Sequence, residues 1–208
     1  MTPRLTEFTL GGILTLVLAT LRDPRGTGRQ ILSMQLPVPV LWLLLVTIAV
    51  WTALLGQTAA VLLLPGDAAE GGFTIGPLGV AAMQVGGLLA TVLAVHHLGR
   101  LMGGQGTLER SLLLMSWLEV VMLCVQIVQL AVLLVFSVLG AATPGLFVVV
   151  ASFALMMWVF TAFVAEIHGF HNLWLVFLMI IVSVLAISFV LSLVLSMLGL
   201  TFTGGGFA

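Results

Sequence analysis

The sequence has no lysine and no tyrosine, a single asparagine (Asn172), a single cysteine and few charges of either sign. Six basic and seven acidic residues in 208 make up only 6% of the chain, whereas 62% is hydrophobic. A water-soluble domain carries about 25% charged residues. A chain this poor in charge cannot coat a water-facing surface, which leaves the membrane. The lone Cys124 lies in an apolar run, which excludes an intramolecular disulfide and any cysteine-based zinc motif. No basic run is present to form a nucleic-acid-binding face. The bias toward Ala, Gly, Leu and Val, with no Lys or Tyr, is what a GC-rich bacterial genome would encode.

What the chain does contain is long apolar stretches. A transmembrane helix needs about 20 mainly apolar residues to cross about 30 Å of hydrocarbon. Five stretches qualify, at 39–64, 77–101, 111–139, 144–165 and 172–200. All seven prolines fall outside these stretches or in their first turns, where a missing N–H costs nothing. Continuous apolar runs lack the alternation of barrel strands, and only helices or closed barrels satisfy their backbone in lipid. The predicted fold is all-α, a polytopic bundle of five transmembrane helices with short loops, the longest being the acidic segment 65–76.

Residues 5–21 are too short to cross. Leu10, Ile13, Leu14, Val17 and Leu21 repeat at helical spacing, with Gly11, Thr15, Ala19 and Arg22 opposite, so an N-terminal interfacial amphipathic helix is expected before the first span. A signal peptide is the rival. Arg22-Asp23-Pro24-Arg25, rather than a small-residue cleavage site, follows the segment. The expected organisation is a helix and basic segment over 1–36, the membrane domain over 37–200 and a glycine-rich tail over 201–208. Arg4, Arg22, Arg25 and Arg29 precede the first span, and Arg100 and Arg110 flank the second loop. With five spans, all six lie on one side. Basic residues mark the cytoplasmic side, so the N-terminus is expected in the cytoplasm of a bacterial inner membrane and the tail in the periplasm.

Few side chains offer chemistry. Glu119 is a formal charge well inside a span, about 12 Å from the helix start at 1.5 Å per residue. A carboxyl there must face a partner, face a cavity or be protonated. Ser116, Gln126 and Gln129 share its side of the helix and form a polar stripe toward the bundle. The stripe reads first as interhelical hydrogen bonding and second as a proton or solute path. His96, His97, Glu166, His168 and His171 gather at the arginine-bearing boundary. They could bind a divalent metal, but their spacing is no known metal signature. The preferred reading has His168 and His171 capping the carbonyls at the end of their helix, with Gly169 as the residue just past it. Gly103-Gly104-Gln105-Gly106-Thr107 lacks the lysine and the preceding strand of a phosphate loop. It reads as a tight turn with Thr107 as N-cap of the third span. No catalytic set, cofactor site or firm metal site emerges.

Three segments together resemble a known family: Leu21-Arg22-Asp23-Pro24; His97 through Thr107, with Gly103, Gly104 and Gly106; and Trp158 followed by Glu166-Ile167-His168-Gly169-Phe170. They are similar to the bacterial form of the Yip1 family. The resemblance implies five transmembrane helices, a cytoplasmic N-terminus, a Gly-Gly-x-Gly loop after the second helix and a His-Gly turn between the last two. It marks Asp23, Pro24, Gly103, Gly104, Gly106, His168 and Gly169 as motif residues. The eukaryotic branch is linked to Rab GTPases, but its Asp-Leu-Tyr-Gly-Pro signature is absent here. Trp117 and Glu119 also stand where the family's third helix usually carries Ser and Pro. The expected function is non-enzymatic, in membrane organisation or as an accessory or scaffold. The lipid bilayer, and a membrane-protein partner or second copy, are the expected partners, with no cofactor and no nucleic acid. The alternative is a small transporter or channel built on Glu119, Gln126 and Gln129.

Overall fold

The computed structural model describes residues 9–34, 36–63, 76–140 and 142–197, and among these every regular element is a helix. In chain order they are α1 (Leu10–Arg22), α2 (Pro24–Leu32), α3 (Val38–Leu63), α4 (Pro77–Leu101), α5 (Leu108–Val138), α6 (Ala142–His168) and α7 (Leu173–Met197). Five helices are long and apolar enough to cross a membrane: α3, α4, α5, residues Gly145–His168 of α6 and Leu173–Val190 of α7. The sequence-derived spans agree with the helices α3 to α7 to within about three residues at each end. The acidic segment, the tail, Arg4 and the first residues of the predicted interfacial helix lie outside the described residues.

The expected single N-terminal helix is two. Pro24 cannot continue α1, because its ring removes an N–H and disfavours helical backbone at Asp23. Asp23 has left the helical region (φ −138°, ψ 83°), yet its own N–H still donates to Ala19 O (2.8 Å), closing α1. Its carboxylate accepts from Gly26 N (2.9 Å), capping α2, and Pro24 fills the first position of α2. A proline first and an aspartate as cap are the natural start of a helix. The second helix was hidden in the sequence by its glycines, Gly26 and Gly28, and by its low apolar content.

α1 to α6 form one unit and α7 belongs to a second. Within the first, α5 packs against each of the other five helices. Its residues from Ser111 to Leu118 are buried without a break, which a helix can achieve only when neighbours cover its whole circumference. α1 and α2 supply the extra cover at that end. Thr20 of α1 is fully buried, donates to Leu16 O (2.8 Å) and accepts from Trp117 Nε1 of α5 (3.1 Å). A buried indole N–H without a partner would cost about 1–3 kcal/mol, so this bond fixes where α1 lies.

The core is asymmetric along the helices. In α6 the buried residues Val159, Ala162, Phe163, Ala165 and Ile167 lie in the second half, while Leu146, Phe147 and Phe153 in the first half are more than half exposed. In α5, Ile127, Val128 and Val138 are likewise exposed, in contrast to Leu112 and Leu114. Such apolar faces suit lipid, which is as apolar as leucine and gives no penalty for exposure. On α1 the outward side carries Leu10, Leu14 and Leu18, and Val17 and Thr20 turn inward. Two residues of the expected apolar stripe, Leu10 and Leu14, therefore point away from the protein, as an interfacial helix requires. α7, described by itself, starts on Asn172, whose Oδ1 accepts from Trp174 N (3.0 Å) and Leu175 N (3.3 Å).

Candidate functional site

The polar residues singled out in the sequence converge at the end of the bundle where α4 stops, α5 starts and α6 stops. α4 ends in a left-handed glycine: Gly103 has φ +87°, with Gly103 N donating to Arg100 O (3.0 Å) and Gly104 N to Gly99 O (2.9 Å). α6 ends the same way on Gly169 (φ +76°), with Phe170 N donating to Ala165 O (2.8 Å). The end of α4 has the paired bonds of a glycine-terminated helix, and the end of α6 has the longer bond of that pair. Thr107 caps α5 by accepting from Arg110 N (3.3 Å), as its position before the third span implies.

His168 joins these ends. Its Nε2 lies 3.0 Å from Val95 O of α4, and its Nδ1 accepts from Gly106 N at 3.2 Å. A carbonyl can only accept, so the proton is on Nε2. The nitrogen facing an N–H must offer its lone pair, so the ring is the neutral Nε2–H tautomer, assigned from its partners. Gln105 N adds a bond to His168 O (3.3 Å), and the ring stacks on Phe170 with centroids 5.7 Å apart. The glycines make room. A Cβ on Gly99 would collide with the ring, and one on Gly104 or Gly106 would come within 2.6 Å of it. Gly99 lies one turn after Val95, and its missing side chain is what lets an imidazole reach that carbonyl.

Beside this histidine, α2 is fastened to α6. Arg25 Nε and Arg29 Nη1 each lie 3.3 Å from Glu166 Oε2. Arg25 also donates to Phe170 O (3.0 Å) and His171 O (3.4 Å). The expected capping of α6 by His168 and His171 is therefore corrected: the carbonyls after α6 are met by Arg25. The imidazole of His168 is turned to α4 and the glycine loop, and His171 is exposed. Arg29 is 60% exposed and contributes little by itself. Arg25 does more, because its planar donors are shared among a carboxylate and two carbonyls.

The metal candidates are not brought together. Both nitrogens of His168 are occupied, Glu166 is paired with two arginines, and His97 is exposed with its ring 5.0 Å from that of His96. Among the described residues no group of three or more His, Cys, Asp or Glu is placed to hold a metal ion. The polar stripe on α5 does turn toward a neighbour. Thr52 of α3, whose hydroxyl donates to Ile48 O (3.0 Å), lies beside Glu119. One turn further along α3, the amide of Gln126 sits over Gly56, 3.5 Å from where a Cβ would stand. Gln129 is half-buried, and Ser116 Oγ is enclosed without a partner.

Sequence reasoning used Arg25 and Arg29 only for orientation, named Trp117 only as a departure from the family pattern, and gave no role to Thr20, Val95 or Gly99. Two signals were available: arginines one helical turn apart at 25 and 29, and Glu166 as the one carboxylate at the end of the fourth span, on the side predicted to hold every arginine.

The cradle gives an expected outcome. Gly99→Ala and Gly106→Ala should each destabilise the protein by about 1–3 kcal/mol through overpacking against His168. The cost of Gly99→Ala should fall by more than half in a His168→Ala background, whereas Gly106→Ala should keep more of its cost because its Cβ also meets Ile167. Gly103→Ala has open space around it and should cost about 1 kcal/mol from its left-handed backbone, with or without His168. Unfolding midpoints in detergent check this, and full additivity of Gly99→Ala with His168→Ala would refute the cradle.

Residues 18–196 match the sequence profile described as the Yip1 domain. No curated protein and no solved structure matches the chain. The matched span runs from the last turns of α1 nearly to the end of α7, and it takes in the Asp23-Pro24 break, the glycine loop and His168-Gly169. The chain belongs to the Yip1 domain family and is an integral membrane protein.

Proposed function

We propose that this protein is a non-enzymatic organiser of its membrane or a scaffold within a membrane complex, placed in a bacterial inner membrane with the N-terminus cytoplasmic and the C-terminus periplasmic. The observation that carries the reading is how the polar end is used. His168, Glu166, Arg25 and Arg29 bind one another's helices rather than standing free around a reactive position. The family is not a known enzyme family. Apolar faces on α1, α5 and α6 offer contact to lipid, to a membrane-protein partner or to a second copy. The orientation rests on the arginines: Arg22, Arg25, Arg29, Arg100 and Arg110 lie at the same end of α1 to α6, the end where basic residues are retained in the cytoplasm.

Two experiments test this reading. A reporter active only in the periplasm should work when fused after Ala208 and fail when inserted at Gly104; the reverse pattern would refute the orientation. For the function, wild type and Glu119→Gln are reconstituted and compared for pH-dependent flux and for melting in detergent. Glu119 packs on Thr52, and the amide has nearly the same shape, so similar melting within about 1 kcal/mol and no flux in either protein is expected. A proton-coupled flux that the substitution abolishes would establish the transport alternative instead.

A further inference from the structure

Between the end of α4 and the start of α5 lies an open cleft of about 580 Å³, lined among others by His96, Arg100, Gln105 and Thr107. This is within the size of small-molecule sites, about 300–1,000 Å³. We propose that the cleft binds the phosphate of an anionic phospholipid headgroup. The proposal rests on the reading that this end of the bundle meets the headgroup layer.

The lining is one-sided in its chemistry. Among the described residues Arg100 forms no ion pair and no carboxylate lines the cleft. Glu166 is held by Arg25 and Arg29, and Glu109, in the first turn of α5, is not part of the lining. The oxygen of Thr107 accepts from Arg110 N, which leaves its own proton to donate. Gln105 is exposed, so its amide is free to turn toward a bound anion. A guanidinium, a hydroxyl and an amide around one opening are donors awaiting an acceptor, and a phosphate oxygen suits an arginine fork best.

The wall is also held in place before any ligand arrives. Gly104 is bonded to Gly99 O, Gln105 N to His168 O and Gly106 N to the His168 ring, so three successive backbone amides of the lining are fixed from behind. A preformed site loses less conformational freedom on binding. The surroundings select a lipid over a free phosphate. The cleft sits at the end of a 25-residue apolar helix, the depth of the headgroups. Leu101 (82% exposed) and Met102 (41%), which follow Arg100, offer an apolar surface to the glycerol and acyl chains. Basic pockets at such membrane boundaries are known to hold anionic headgroups.

The test uses the full chain in detergent, titrated with dihexanoyl phosphatidic acid below its micelle concentration, with dihexanoyl phosphatidylcholine and sn-glycerol 3-phosphate in parallel. Phosphatidic acid should bind at least about tenfold more tightly than phosphatidylcholine, whose phosphate already carries a choline cation, and than glycerol phosphate, which has the same phosphate but no acyl chains to lie on Leu101 and Met102, where burying about two methylenes is worth that factor. Arg100→Gln should weaken it about tenfold and Gln105→Glu, which places a carboxylate in the cleft, at least as much. Arg110→Gln, which removes the same charge outside the lining, should change it less than about twofold by the weaker, screened attraction at a distance. Gln105→Glu carries the test if Arg100→Gln melts below wild type. Equal binding of glycerol phosphate would overturn the lipid assignment, and equal binding of phosphatidylcholine the requirement for an anion. Equal weakening by Arg110→Gln would overturn the site itself. None of these results depends on the flux or reporter experiments, so the headgroup site and the scaffold reading can fail separately.

Discussion

The imidazole of His168 meets three pieces of chain at once: its own helix α6, the carbonyl of Val95 in α4 and the amide of Gly106 in the loop leading to α5. At the edge of a bilayer a ring buried to this degree, with only 4% of the residue exposed, has little water to turn to. Each nitrogen must find its partner in the protein or cost several kcal/mol. The neutral Nε2–H ring satisfies both nitrogens only when α4, the loop and α6 are in their observed places. That single requirement explains why three glycines surround it, since at Gly99, Gly104 and Gly106 a side chain would occupy the space of the ring.

From that junction the rest of the end follows. With α6 positioned by His168, Glu166 faces the short α2 and draws in Arg25 and Arg29. Arg25 then covers the carbonyls of Phe170 and His171 left open after α6. α2 in turn carries α1, which Trp117 and Thr20 hold against α5. The result is a bundle packed tightly at its arginine-bearing end, with apolar exposed faces on the far halves of α5 and α6. Lipid can cover such faces at no hydrophobic cost, whereas buried polar groups must be matched within the protein. The tight end is therefore the polar end.

The fold was largely legible because hydropathy and proline placement report the same thing in a membrane: where backbone must be helical and where it is free to turn. The Thr107 cap and the Gly169 terminus were legible too, since both depend on residues a few positions apart. The second N-terminal helix was not. Pro24-Arg25-Gly26-Thr27-Gly28 has poor helix propensity, and its helix is held by an aspartate cap and by ion pairs to a segment about 140 residues away. His168 was read as a local cap for the same reason. Spacing along one helix shows which residues share a face but says nothing of which carbonyl on another helix lies within reach. Glu119 and Gln126 fell between these cases. Their common face was visible in the sequence, but the glycine that receives Gln126 on α3 was not.

The central claim is that His168 holds three chain segments as a neutral ring. The most direct measurement is the nitrogen NMR spectrum of imidazole-labelled protein in lipid at neutral pH, with the His168 signals assigned by their loss in His168→Gln. The account predicts a proton on Nε2 alone and a hydrogen-bonded, unprotonated Nδ1. A proton on Nδ1, whether in the other tautomer or in a charged imidazolium, would contradict it.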